Sequence, residues 1–397
     1  MNILHLQRSK NAPLRLNISI PYLTDPVLAS IAEAPALAEL GNHFDIRRVR
    51  SLRIQAENEM PITSLQPIEH LDDLVIHQSD ESSSTAQTWL DFLQGITFRR
   101  LFLDGHDSFS MTPLSATLLT HLYYFSPYHP SIPGFLRSAS LLEVLYIHIW
   151  PSETEFAPSN DLTPIVLPLL RSIGMEGELR ELSTYFIDAP NLTRLAIGAL
   201  AGPHSLIGDF PQVDTCEVDW GYGKGHGGYS EDSNDAGSNI VEDHPLWRIL
   251  NSPPTFRRLE LKNSSPTTLL GFASRILCLT VTSSDKVSPI LQNLSRLSHF
   301  SLDVPFPKSC WNRKEKRHIV LQILQHMCIV KKCWSPSSNM EMIMYGDEAD
   351  RDFLESRVDL MRASNLTIRI ITQGSDADQT GQDYLQEVRE FFWVNEN

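Results

Sequence analysis

Large apolar residues return along most of this chain in one arrangement, apolar-x-x-apolar-x-apolar. Asn191 to Ile197 (NLTRLAI) is the plainest copy, with Leu192, Leu195 and Ile197. In an extended chain Leu195 and Ile197 point to one side and Arg194 and Ala196 to the other. Each copy therefore predicts a short strand with one apolar face, entered from a turn through its first residue. Ten further copies are Val49/Leu52/Ile54, Leu71/Leu74/Ile76, Phe98/Leu101/Leu103, Leu119/Leu122/Tyr124, Leu142/Leu145/Ile147, Leu170/Ile173/Met175, Val213/Cys216/Val218, Phe256/Leu259/Leu261, Ile276/Leu279/Val281 and Leu297/Phe300/Leu302. In a chain that is 42% hydrophobic such triplets also arise by chance, so the spacing carries the argument. The central residues, from 52 to 300, stand 20 to 28 apart except for one step of 43, within the range of leucine-rich repeats.

One such strand cannot bury its apolar side, whereas stacked copies make a continuous core. The pattern predicts an α/β fold: a leucine-rich-repeat-like solenoid with parallel strands lining one face and irregular covering helices. Residues 13–20 (PLRLNISI) read as a first strand, and 340–345 (MEMIMY) and 365–371 (NLTIRII) as two more. Covering helices are expected at Thr24–Leu40, Ser84–Leu93, Leu162–Leu170 and Ser284–Leu294, kept short or irregular by prolines such as Pro113, Pro133, Pro164, Pro168 and Pro289. Residues 311–334 place Ile319, Val320, Ile323, Leu324 and Met327 on one helical face, and Tyr384–Trp393 reads as an amphipathic capping helix. The resulting division is an irregular solenoid over 1–310, interrupted by a flexible acidic loop at 220–245, and a C-terminal helix, strands and capping helix over 311–397 that continue it.

Charge narrows the function. A net charge of -15 over 397 residues opposes binding to nucleic acid or acidic lipid. The five cysteines are scattered, with no Cys-x-x-Cys pair, and read as small buried hydrophobes in a reducing compartment. The N-terminus has no apolar signal region and no stretch is long and apolar enough to span a bilayer, so the expectation is an intracellular protein, cytoplasmic or nuclear.

Candidate chemistry is sparse. Gly223-x-Gly225-x-x-Gly228 matches a dinucleotide fingerprint by letter, but the acidic run YSEDSNDAGSN stands where the phosphate-binding helix would begin. Asp232, Asn234, Gly237 and Asp243 follow a calcium-loop spacing, but Ala236 takes a ligand position and no flanking helices are evident. His226 and His244 read as solvated. Nucleophile-elbow, zincin and P-loop motifs are absent from the sequence, so no catalytic residue, metal or cofactor is expected. The basic residues from Lys308 to Lys332 read as the solvated surface of the 311–334 helix. Aromatic residues are better candidates for partner contact: Tyr123, Phe125 and Tyr128 around the strand end in HLYYFSPYHP, and Trp220 and Tyr222 at the loop entrance. Tyr124, between them, belongs to the core by pattern.

RSKNAPLRLNISIP near the start, units such as SLLEVLYI and APNLTRLAI, and the last strand followed by an acidic gap and Tyr384–Trp393 resemble the leucine-rich-repeat part of F-box-like proteins of mushroom-forming fungi. The resemblance covers nearly the whole chain. It implies a protein-protein recognition scaffold and, more specifically, the substrate-recognition part of an SCF-type ubiquitin ligase held by an Skp-type adaptor. Two departures accompany it. Residues 21–40 predict one helix instead of the three of an F-box, and the Asn or Cys of a regular repeat turn is replaced by residues such as Glu57, Trp150, Leu200 and Ser264. Alternative readings are a non-degradative scaffold and a hydrolase without a detectable motif.

Overall fold

The computed structural model describes residues 13–20, 49–56, 70–78, 95–105, 109–150, 163–177, 187–200, 212–219, 257–262, 297–304, 318, 321, 322, 325, 339–346, 352, 353, 356 and 366–372. The fold is a leucine-rich-repeat-like solenoid of parallel strands with few helices among the described residues. It divides into two compact units, Met1–Leu192 with Leu200–Phe210, and Thr193–Ala199 with Pro211–Asn397.

In unit 1, β1 (Leu14–Ile20), β2 (Val49–Ala56), β3 (His70–Gln78), β4 (Thr97–Asp104), β5 (His121–Pro127), β6 (Val144–Trp150) and β8 (Ser172–Gly177) pair successively and in parallel. The register aligns the repeat: Leu52, Leu74, Leu101, Leu122, Leu145 and Ile173 are partners from strand to strand and are all buried. Two residues on, Ile54, Ile76, Leu103, Tyr124, Ile147 and Met175 form the next aligned row. Tyr124 fits an apolar core because its hydroxyl donates to the Pro127 carbonyl over 2.7 Å, leaving no orphaned polar atom. Burial pushes the Tyr124 phenol pKa well up.

The first apolar residue of each copy closes a turn. Leu119, Leu142, Leu170 and Leu192 donate their N–H to the carbonyls of Ala116, Ala139, Leu167 and Ala189 over 3.1 to 3.2 Å, and all four leucines are buried. This recurring turn starts the next strand with its large side chain already in the core.

The covering side departs from the expected helices. Leu162–Leu170 carries no helix over its described residues: β7 (Ile165–Val166) pairs in parallel with β9 (Ile187–Asp188), and a turn follows. Pro164 and Pro168 remove donors a helix needs, and Ile165 and Leu167 are buried while Val166 between them is exposed, a period of two and not 3.6. A seven-residue helix, α1 (Ile132–Ser138), does form and lies against β7. Pro133 stands in its first turn, where the missing N–H costs nothing. Ser131 before it does not cap the helix; its hydroxyl accepts from the Met111 N–H at 2.7 Å. Predicted helices at Thr24–Leu40, Ser84–Leu93, Ser284–Leu294 and Tyr384–Trp393 lie outside the described residues. Of 311–334, His318, Leu321, Gln322 and Gln325 are described, and all are helical.

Unit 2 contains β10 (Arg194–Leu200), β11 (Thr215–Asp219), β12 (Arg258–Lys262), β13 (His299–Val304), β14 (Asn339–Gly346) and β15 (Leu366–Thr372), again successive and parallel. Leu195, Cys216, Leu259, Phe300, Met340 and Leu366 are partners in register. The expected strand around Ile276, Leu279 and Val281 lies outside the described residues; β12 pairs directly with β13.

Candidate functional site

Core positions alternate along each strand with positions on the opposite side of the sheet, and in unit 1 these build a continuous patterned face. The row immediately after the central core residue reads Arg53, Val75, Phe102, Tyr123, Tyr146 and Gly174 from β2 to β8. Register partners on adjacent strands sit about 4.8 Å apart, close to the thickness of two stacked rings. Phe102 and Tyr123 accordingly stack with centroids 4.4 Å apart and planes at 15°, and Tyr123 and Tyr146 at 4.6 Å and 3°. With ring faces turned against one another, Phe102 and Tyr123 are buried and Tyr146 is the partly exposed member of the stack. It ends at Gly174, where a Cβ would run into the Tyr146 ring. At the other end Arg53 has a buried Nε without a hydrogen-bond partner.

Charged and polar pairs border the stack. On one side Asp73 and Arg100, register partners on β3 and β4, form an ion pair. The carboxylate is nearly buried, so the arginine offsets a desolvation cost that an unpaired Asp73 would carry in full. His121 follows in the same row, and its pKa is lowered first by burial and then by the Arg100 charge, so the ring is held neutral. On the other side His77 and Asp104 are register partners, with Nδ1 and Oδ2 2.5 Å apart. An ionised carboxylate only accepts, so His77 Nδ1–H donates. Phe125 and His148 continue this row, their rings 4.2 Å apart and tilted by 52°.

The sequence-predicted aromatic residues therefore separate. Tyr123 and Phe125 lie within β5, not at its end, and share the patterned face. Phe125 is half-buried, while Tyr123 is only 8% exposed between its stacking partners. Tyr128 lies beyond the strand at 5% exposure, so it offers no surface to a partner. Trp220 and Tyr222 lie outside the described residues. Phe102, Tyr146, Arg53 and the two side-chain pairs were not singled out by sequence. Their signal was a constant offset: they fall one residue before, one after or three after each central core residue, and reading those columns together assembles the face.

Among the described residues the face combines stacked rings, an ion pair and a His–Asp pair. Among the described residues no group of three or more His, Cys, Asp or Glu is placed to hold a metal ion. Cys216, in the core row of unit 2, is buried. Among the described residues no helix is long and apolar enough to cross a membrane. No family model, curated protein or solved structure matches the chain.

Proposed function

We propose that the chain is a non-catalytic protein-recognition scaffold whose unit 1 face engages a polypeptide partner through the partly exposed Arg53, Phe125, Tyr146 and His148 that border the buried Phe102–Tyr123 pair. The observation that carries this reading is the division of labour in register: one set of rows is uniformly apolar and buried, while the alternate rows carry a different side chain at nearly every strand. Packing demands no such variety; recognition does. Asp73 and Asp104 already have partners on the face, so charge there is largely balanced and specificity rests on the partly exposed side chains of Arg53, Phe125, Tyr146 and His148. Substrate selection for a ubiquitin ligase is the form of this activity that the F-box-like resemblance suggests.

The test is affinity purification of the full chain from its own cells, followed by affinity measurement on each partner recovered. Tyr146→Ala and Arg53→Ala are expected to weaken the cognate partner at least about tenfold, the scale of an interface hot spot. Unchanged affinity in both variants removes this face from the interface. Recovery of an Skp-type adaptor with a cullin supports the ligase form, and reproducible partners without them support a free-standing scaffold.

A further inference from the structure

The edge of the unit 1 sheet where the strands begin carries a second pattern, distinct from the stacked face. In the recurring turns that end at Leu119, Leu142 and Leu170, the residue before the buried leucine is itself a leucine: Leu118, Leu141 and Leu169, exposed by 41%, 39% and 43%. One exposed leucine is ordinary, but three at the same place in successive repeats make a contiguous apolar row. The row is bounded. The equivalent position one repeat earlier is Thr97, and one repeat later it is Asn191, whose side-chain amide donates to the Pro168 carbonyl over 2.8 Å.

Two residues beyond Thr97 and the three leucines runs a second row that solvent reaches: Arg99, Thr120, Glu143 and Arg171. These repeats are held in step by backbone hydrogen bonds from Thr120 N–H to Arg99, Glu143 N–H to Thr120 and Arg171 N–H to Glu143, at 2.7 to 2.8 Å. The charge sequence along the edge is positive, neutral, negative, positive, one step per strand of about 4.8 Å. An α-helix advances about 5.4 Å per turn, so helix residues spaced i, i+4 and i+7 keep pace with it. An extended peptide repeats the same side about every 6.8 Å and falls out of step.

We propose that this ledge docks an amphipathic helix of a partner protein, with apolar residues over Leu118, Leu141 and Leu169 and a flanking stripe of acidic, neutral, basic and acidic residues at successive turns. The leucine row supplies the affinity, and the charge order sets register and direction.

The test uses the full chain and synthetic helical peptides. Each carries leucine at three successive turns and, on the adjoining stripe, either Glu, Gln, Lys, Glu or the inverted Lys, Gln, Glu, Lys, made in both chain directions. Fluorescence anisotropy is expected to show one direction of the matched peptide binding at least tenfold more tightly than its inverted counterpart. Leu141→Glu is expected to abolish that binding while leaving the far-ultraviolet circular dichroism unchanged, and Arg99→Glu with Arg171→Glu to reverse the charge preference. Equal binding of matched and inverted peptides, or binding indifferent to Leu141→Glu, overturns the proposal. So does sedimentation showing a dimer of the wild-type chain that Leu141→Glu dissociates, since the row is then covered by a second copy.

Discussion

The row that follows the central core residue differs sharply between the two units. Unit 1 places Arg53, Val75, Phe102, Tyr123, Tyr146 and Gly174 there, whereas unit 2 places Ala196, Glu217, Glu260, Ser301, Glu341 and Thr367. The core row itself barely changes, from Leu52, Leu74, Leu101, Leu122, Leu145 and Ile173 to Leu195, Cys216, Leu259, Phe300, Met340 and Leu366. Burial constrains one row and backbone pairing constrains the strand, while the alternate row is left to vary. Unit 1 uses that freedom for aromatic stacking, which adds about 0.5–1.5 kcal/mol per pair beyond burial. Unit 2 puts Glu217 and Glu260 in register on neighbouring strands.

The comparison can be broken first at the core, where both units should respond alike. Leu122→Ala in unit 1 and Leu259→Ala in unit 2 remove fully buried side chains, and each is expected to cost about 2–5 kcal/mol in urea denaturation. A negligible loss in either would deny that the row is core there. Arg100→Ala strands the nearly buried Asp73 carboxylate and should cost roughly 1–3 kcal/mol, between the values for exposed and fully buried pairs. Gly174→Ala, which drives a methyl against Tyr146, is expected to cost about 1–2 kcal/mol and to change the near-ultraviolet circular dichroism of the stack.

A pH titration sharpens the same contrast. His121 and His129 both have pKa values lowered by burial. Below pH 6.5 the unfolded chain takes up protons at these positions before the folded chain does, so stability falls as the solution is acidified from pH 7 towards 5. His121→Gln is expected to flatten that fall in urea denaturation series, and an unchanged slope would remove His121 as a contributor.

Strand positions were legible in the sequence because period-two alternation and a repeat of roughly twenty-odd residues reinforce each other. The triplets over Val49 to Leu103 and Leu119 to Met175 land on β2 to β6 and β8 with their central residues in register. The helix over 162–170 rests on loosely spaced leucines; Pro164 and Pro168, expected to shorten it, instead accompany a buried-exposed-buried alternation at Ile165, Val166 and Leu167. α1 was missed for the converse reason, since Pro133 was taken as a breaker and stands where a helix begins. The face was only partly visible because aromatic clustering along the chain drew notice to Tyr123, Phe125 and Tyr128. Stacking runs across strands, joining Phe102, Tyr123 and Tyr146 over distances in sequence that no local window spans.

The aligned register also governs how such a chain can change over generations. In unit 1 successive core positions stand 21 to 28 residues apart, while unit 2 includes three steps of 40 to 43, yet strands pair in register in both. Connections can thus gain residues without disturbing the partners they link. A single deletion inside β4, by contrast, would move Leu101 and Phe102 to opposite sides of the sheet from those they occupy, breaking the core row. Length is cheap to inherit between strands and nearly forbidden within them, which lets selection redraw the displayed columns by substitution while indels accumulate only in the connections.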